Sequence, residues 1–159
     1  MVVPDPRTSM YVSIGLIVAS WSHVEQTLDF WVTIVFRNCG GKSIAYRNQL
    51  PRALNNKITF LEDSFNKLEI LHPYKYEGLA FLNRIKLLSD MRHTLVHGAI
   101  EELTPETLKI AQLKYGKEKH EVRHHKYTVT ELFNCGNKIQ DLVIELTPYI
   151  HRLMDQFLH

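Results

Sequence analysis

The stretch Ser89–Gly98 reads SDMRHTLVHG and contains the residue types that chemistry on a phosphate group would need. A helical pattern of apolar residues runs through it, so each residue can be placed at about 100° from the next. Phe81 and Ile85 then fall within about 20° of Arg92, which points along the centre of an apolar stripe. Because a guanidinium cannot lose its charge by deprotonation, Arg92 needs a carboxylate, an opening to water or an anionic ligand.

Two interpretations of Arg92 follow. In the first, Glu25 of the predicted first helix forms a structural ion pair with Arg92, which then stabilises the fold and carries no chemistry. In the second, Arg92 waits for an anionic ligand, and Asp90, His93 and Glu25 are its candidate supporting residues. The residues around Arg92 leave both interpretations open.

His97 occupies the last turn of the same predicted helix, because Gly98 is a typical residue just after a helix end. The helix dipole favours a protonated imidazole there, and an imidazolium near an arginine suits proton transfer beside a phosphate. On an ideal helix Arg92 and His97 lie about 140° and about 7.5 Å apart. They could converge through the long arginine side chain, a distorted last turn or a second subunit. A histidine at a helix end is also commonly a surface or capping residue.

Four segments with helical periodicity position these residues. They span about residues 8–38, 51–68, 74–98 and 130–157. Trp21 and Trp31, ten residues apart on the first, are predicted core residues. We expect a mainly α fold, an antiparallel four-helix bundle forming a single domain over residues 1–159.

Residues 99–128 interrupt the helical pattern. Thr107–Tyr115 and Glu121–Thr128 are strand candidates separated by the turn-forming sequence GKEK, which predicts a β-hairpin inserted between helices three and four. Pro105 is expected to limit any strand at 99–103.

The predicted hairpin is locally basic. Between Lys114 and Lys126 five basic residues face two acidic ones, a local charge of +3 against +2 for the whole chain. A basic flap of this kind could hold single-stranded RNA, with Tyr115 and Tyr127 as stacking aromatics at its two ends. The candidate RNA-binding residues are Lys117, Lys119, Arg123 and Lys126. The alternative is that the lysines protect strand edges from aggregation.

A metal site is not expected in the hairpin. Strand alternation places His120 and His124 on one face and His125 on the other, and no cysteine lies nearby. We therefore predict no metal and no cofactor.

The composition excludes several protein classes. The chain is 45% apolar and 23% charged, with 7 glycines and 6 prolines, which excludes collagen-like and low-complexity proteins. Two cysteines are too few for a disulfide scaffold. An acid and two prolines stand where a signal peptide has its basic leader, and the longest apolar run, Tyr11–Trp21, is about half a membrane span. We expect a cytoplasmic protein with no membrane partner.

The segment Arg92–His97 resembles the R-x4-H motif of HEPN domains, which those domains carry late in the third helix of an all-α bundle. His93 after the arginine and Gly98 after the histidine also fit the motif. The segment Ala19–Leu28, with Glu25 inside it, is similar to the early helix of that family. The resemblance covers about residues 8–98 and 129–158 and leaves the hairpin as an insertion.

The resemblance implies a metal-independent endoribonuclease that works as a homodimer, with the two motifs meeting in one cleft. His97 would deprotonate a ribose 2′-hydroxyl, Arg92 would stabilise the phosphoryl charge, and the partner subunit's His97 would protonate the leaving 5′ oxygen. The products would be a 2′,3′-cyclic phosphate and a 5′-hydroxyl end.

The resemblance also suggests a biological setting, a toxin–antitoxin pair or phage defence, in which an antitoxin protein is a further candidate partner. HEPN toxins silenced by a nucleotidyltransferase antitoxin have a tyrosine two places after the histidine, where this chain has Ala99. The sequence therefore does not favour silencing by that route. The alternatives are a HEPN-like binding or regulatory module without catalysis, and a helical interaction protein in which the motif is a coincidence.

Overall fold

The computed structural model describes residues 5–117 and 119–158. Within those residues the protein is mainly helical, with four α-helices and one three-stranded antiparallel sheet. The helices are α1 (Thr8–Asn38), α2 (Leu54–Lys67), α3 (Lys75–His97) and α4 (Val129–Phe157). Between α3 and α4 lie β1 (Ala99–Leu103), β2 (Thr107–Tyr115) and β3 (His120–Thr128). Short 3-10 turns span Gly41–Ser43, Tyr46–Asn48 and Glu69–Tyr74. The prediction of a mainly α chain with four helices is confirmed.

The chain divides into two compact units. The first combines the chain up to Trp21 with Leu88–Gln140, and the second combines Ser22–Leu87 with the chain from Asp141 onward. α1, α3 and α4 therefore each contribute one part to each unit. The single-domain organisation stays a prediction.

The second unit has an aromatic core. The ring of Trp31 on α1 lies 5.8 Å from that of Phe65 on α2 and 5.1 Å from that of Tyr149 on α4. The hydroxyl of Tyr149 donates a hydrogen bond to the backbone oxygen of Tyr74 at 3.1 Å. Burial raises the pKa of Tyr149, so this hydroxyl stays protonated as a donor. Trp31 is fully buried, which confirms it as a core residue.

The first unit, which carries the R-x4-H motif, packs helix ends against the sheet. Trp21 is 1% exposed, as predicted for a core residue. A Cβ atom built on Gly136 of α4 would lie 2.7 Å from Cδ2 of Leu16 on α1, so these two helices approach closely here. The other fully buried apolar residues of this unit include Met10, Ile17, Leu108, Leu132 and Ile139.

The prediction of a two-stranded hairpin is wrong, because residues 99–103 also form a strand, which ends before Pro105 as expected. β1 pairs antiparallel with β2, from Ala99 opposite Ala111 to Leu103 opposite Leu108, so the element is a three-stranded sheet and not a two-stranded hairpin. Pro105 lies in the loop after β1, where no ladder hydrogen bond needs its missing N–H. Pairing with β2 therefore decides whether residues 99–103 form a strand, and the proline only marks where that strand ends.

α3 passes into β1 through a very close contact. The N–H of Gly98 donates to the backbone oxygen of Thr94 at 2.9 Å, which completes a regular last turn. A Cβ atom at Gly98 would lie 2.1 Å from Cγ2 of Ile110 and 2.6 Å from that backbone oxygen of Thr94. Only a glycine leaves room for β2 to press against the end of the helix.

The apolar run Tyr11–Trp21 forms part of α1, where buried residues such as Ile17 alternate with exposed ones such as Val18. None of the described helices has the combination of length and apolar character needed to cross a membrane. Cys39 and Cys135 are buried free thiols. Burial raises the pKa of Cys39 to about 11 and also raises the pKa of Cys135, so both behave as small apolar residues.

We expect Gly98→Ala to destabilise the protein by about 1–3 kcal/mol, because the new methyl group overlaps Ile110 and the backbone of Thr94. Urea unfolding followed by circular dichroism measures the change. The matched control is Gly15→Ala, where nothing lies within 4 Å of the new Cβ atom. Since Gly15 lies inside α1, that change should stabilise by about 0.5–1 kcal/mol. Equal effects of both substitutions would contradict the close contact at Gly98.

Candidate functional site

Two histidines lie in contact at the end of α3. His93 and His97 are one helical turn apart, and their ring centroids are separated by 4.6 Å with the planes tilted by 51°. Both side chains are exposed. His93, predicted only as a supporting residue, is thus a direct neighbour of the proposed catalytic His97.

The surroundings of His93 lower its pKa. Partial desolvation of the imidazole is the largest cause, and the positive charges of His97, Lys114 and Arg92 act in the same direction. The carboxylate of Asp90 acts in the opposite direction. His93 is therefore neutral at neutral pH and able to accept a proton.

Arg92 lies on a different side of α3 from this histidine pair. It is half-buried and has an interaction partner, as a guanidinium on an apolar stripe requires. The last turn of α3 is regular, which leaves Arg92 and His97 about 140° apart around the helix axis. A distorted last turn therefore does not bring them together, and the remaining routes are the arginine's own length and a second subunit.

The two predicted carboxylates have different positions. Asp90 is exposed on α3, and its backbone oxygen accepts a hydrogen bond from the hydroxyl of Thr94 at 3.0 Å. Glu25 is half-buried on the part of α1 that belongs to the second unit. The Arg92–Glu25 ion pair stays a hypothesis.

Lys114 is a site residue that the sequence analysis counted only as part of a basic segment. It follows the buried Ile110 and Gln112 at every second position on β2, so it is on the face of the sheet that packs against the helices. Its charge acts directly on His93. The β1–β2 register brings it there, and sequence reasoning missed that register because it did not predict β1.

The packed face of β3 carries a second aromatic pair. The rings of His125 and Tyr127 are stacked at 6.1 Å with an angle of 7° between their planes. Burial raises the pKa of Tyr127, partly offset by a hydrogen bond with Thr94. Tyr127 is thus half-buried against α3 and is not an open stacking surface for RNA. Tyr115, in contrast, is 77% exposed, with its ring 5.0 Å from that of His120.

The candidate RNA-binding residues are divided between the turn and the two faces of the sheet. Lys117 and Lys119 flank the turn, which the N–H of Gly116 closes by donating to the backbone oxygen of Lys119 at 2.9 Å. Arg123 lies on the packed face and donates to the carboxylate of Glu121 at 3.1 Å. Its charge is therefore already neutralised by a neighbour on the same strand.

Lys126 lies on the outer face of the sheet, opposite Lys109. Lys109 forms an ion pair with Glu102, and Nδ1 of His124 lies 3.0 Å from a carboxylate oxygen of Glu101. This face thus carries the Lys109–Glu102 ion pair, the contact between His124 and Glu101, and the further cation Lys126. The four candidate RNA-binding residues do not form one continuous surface.

Nothing in the described parts of the chain gathers three His, Cys, Asp or Glu side chains closely enough to hold a metal ion. The strand register places His124 opposite Ala111 and His125 opposite Ile110, on opposite faces, as the alternation predicted. Nε2 of His125 is buried and has no hydrogen-bond partner among the described residues. This histidine serves packing in the sheet.

Comparison of the chain with protein-family models, with curated proteins and with solved structures gives no match. The resemblance to HEPN domains rests on the R-x4-H residues. Any function of the chain must therefore be inferred from the geometry and charges of the residues at the site.

We expect His97→Gln to raise the pKa of His93, because the substitution removes the positive charge that ranks next after desolvation among its causes. Histidine ring signals in an NMR pH titration measure the change. The wild-type pKa of His93 should lie below its ordinary value, and the variant should move it part of the way back, since desolvation remains.

The matched control is His124→Gln, which removes a histidine from the other face of the sheet and should leave the titration of His93 unchanged. A titration of His93 that does not respond to His97→Gln would contradict the histidine contact.

Proposed function

We propose that this chain is a HEPN-like endoribonuclease that cleaves single-stranded RNA by attack of the ribose 2′-hydroxyl on the adjacent phosphorus. The observation that supports the proposal best is the contact between His93 and His97 at an exposed helix end. Lys114 and Arg92 lie close enough to influence the protonation of this pair. Imidazoles beside fixed cations are the groups that acid–base chemistry on a phosphodiester needs.

In the proposed mechanism His97 takes the proton of the 2′-hydroxyl as the O2′–P bond forms. The P–O5′ bond breaks, and an imidazolium, in a dimer the partner subunit's His97, gives a proton to the leaving 5′ oxygen. Arg92 stabilises the charge on the phosphoryl oxygens. The products are a 2′,3′-cyclic phosphate and a 5′-hydroxyl end, and no step requires a metal or another cofactor.

His93 has a supporting role in this proposal. Its lowered pKa keeps it uncharged at neutral pH, so it adds no positive charge beside His97 when His97 takes up the proton of the substrate. Asp90 moderates this effect, because its charge raises the pKa of His93.

The proposal includes a homodimer, a HEPN-like four-helix bundle with the sheet as an insertion, and a cytoplasmic setting. Arg92 and His97 on opposite sides of one helix support the dimer, since two copies of the motif can supply both groups to one cleft. A role in phage defence or as a toxin with an antitoxin partner is part of the same hypothesis. RNA contacts by Lys117, Lys119 and Lys126 would be electrostatic and outside the catalytic centre.

One observation favours a second candidate function, a binding module without catalysis. Arg92 is half-buried and already has an interaction partner, so it could be structural while the histidines and Lys114 only bind RNA. The two candidates differ in whether bound RNA is cut.

Purified protein in excess EDTA should cleave single-stranded RNA and leave 2′,3′-cyclic phosphate ends. His97→Ala should lower the rate about 10²–10⁴-fold, the usual contribution of one acid–base group, and Arg92→Ala should lower it by a similar factor. Denaturing gels and mass spectrometry of the products measure both. The matched control, His124→Ala, removes an exposed histidine from the outer face of the sheet and should retain full activity.

An RNA with a 2′-deoxy substitution at the cleaved position should resist the enzyme. Binding of RNA with no cleavage by the wild type would instead support the binding module. Equal rates for the wild type and both site variants would place the activity elsewhere.

Sedimentation at micromolar concentration should give roughly twice the chain mass of 18.6 kDa, because the proposed cleft needs two copies of the motif. Mixing inactive His97→Ala with inactive Arg92→Ala should restore part of the activity if the two residues act across subunits. A strictly monomeric protein that cleaves RNA would remove the composite cleft and leave only the single-chain route.

A further inference from the structure

The strand β2 reaches past the start of its partner β1. The ladder between them begins at Ala99 opposite Ala111, and β2 continues to Tyr115. α3 leads into β1 through Gly98, whose contact with Ile110 places β2 at the end of that helix. Lys114 is three residues beyond Ala111, about 10 Å further along the strand.

The packed face of β2 carries Lys114 toward α3. Lys114 lies on the same face as the buried Ile110 and Gln112, beyond the end of β1 and on the side from which α3 enters the sheet. The effect of its charge on His93, whose pKa it lowers together with His97 and Arg92, agrees with this placement.

No carboxylate oxygen of residues 5–117 and 119–158 lies within 4.0 Å of the ammonium of Lys114. Glu121 stands opposite Lys114 in the strand register, but its carboxylate accepts a hydrogen bond from Arg123. Two exposed imidazoles and an exposed ammonium thus share one patch, with Asp90 as the acid that acts on His93. A cluster of donors with this charge is suited to an anion.

We infer that Lys114 of the sheet and the His93–His97 pair of the helix together bind a phosphate group. The inference deepens the proposed function and rests on it for the source of the phosphate, which is the backbone of single-stranded RNA. The ammonium and the two ring N–H groups donate hydrogen bonds to phosphate oxygens. The sheet is then part of the binding site and not an appendage to the helices.

Phosphate and proton binding are linked at this site. His97, Arg92 and Asp90 on α3 and Lys114 on β2 are the charged groups that act on His93 in the described chain. A bound anion favours the protonated form of His93, against the effect of the three cations, and so raises its pKa. By reciprocity, a phosphodiester, which carries one negative charge throughout this range, binds more tightly at about pH 6 than at about pH 8.

Inorganic phosphate is the probe for this site, titrated at constant ionic strength near pH 6 while NMR follows the histidine ring signals. The signals of His93 and His97 should shift together and saturate. Lys114→Gln should weaken phosphate binding about fivefold, as expected for one exposed charge-assisted contact. The matched control, Lys42→Gln, removes the same charge from the 3-10 turn Gly41–Ser43, which contains no group that acts on His93, and should leave the affinity unchanged.

A second measurement needs no ligand. In the absence of phosphate, Lys114→Gln should raise the pKa of His93, because a neighbouring positive charge is lost, whereas Lys42→Gln should not. Both substitutions change exposed side chains, so circular dichroism should show the same fold for both variants and the wild type.

Histidine signals that do not respond to saturating phosphate would overturn the inference. Equal weakening by Lys114→Gln and Lys42→Gln would also overturn it, because it would indicate general surface charge. Cleavage assays on single-stranded RNA separate this failure from that of the ribonuclease. Lys114-dependent phosphate binding without cleavage removes only the ribonuclease, and cleavage that is insensitive to Lys114→Gln without phosphate binding removes only the anion site.

Discussion

The contact between Gly98 and Ile110 is the constraint on which the rest of the candidate site depends. With no side chain at Gly98, the end of α3 and the middle of β2 approach to a distance that no other residue would permit. The chain then enters β1 at once, and the pairing of Ala99 with Ala111 sets the register of the sheet. That register decides which residues of β2 extend past β1 toward the histidines.

The same junction explains an arrangement of charge that stability alone would not favour. Lys114 and two imidazoles lie together, and like charges at short range oppose one another. Exposure to water keeps this cost small and leaves the donors open to a ligand. Desolvation and the neighbouring positive charges lower the pKa of His93. His93 is therefore neutral, which reduces the repulsion and leaves a base beside His97. Perturbed titration next to unneutralised cations is typical of functional sites.

The helices and the angular positions on them were predictable from the sequence, because 3.6-residue periodicity is a local property. It placed Arg92 on the apolar stripe of α3, where the structure finds it half-buried. β1 was not predictable in this way, since a five-residue strand beside Pro105 depends on pairing with β2. Without β1, the position of Lys114 next to α3 could not be predicted either. The burial of Tyr127 was not predicted because strand alternation defines two faces but does not say which of them packs against the helices.

Because the last turn of α3 is regular, the surroundings of His97 and the role of Arg92 have to be considered separately, although both residues belong to the R-x4-H motif. Within one chain, the ring in contact with His97 is that of His93, and the charge of Lys114 acts on His93; neither residue belongs to the pair that defines the motif. Arg92 points to another side of the helix, so its part in catalysis depends on its own reach or on a second subunit. The proposed phosphate site therefore does not require a dimer, whereas the proposed transition-state role of Arg92 requires either the reach of its own side chain or a second subunit. In the proposed function, one chain can bind RNA by itself, and the second of these routes makes cleavage a property of the assembled pair.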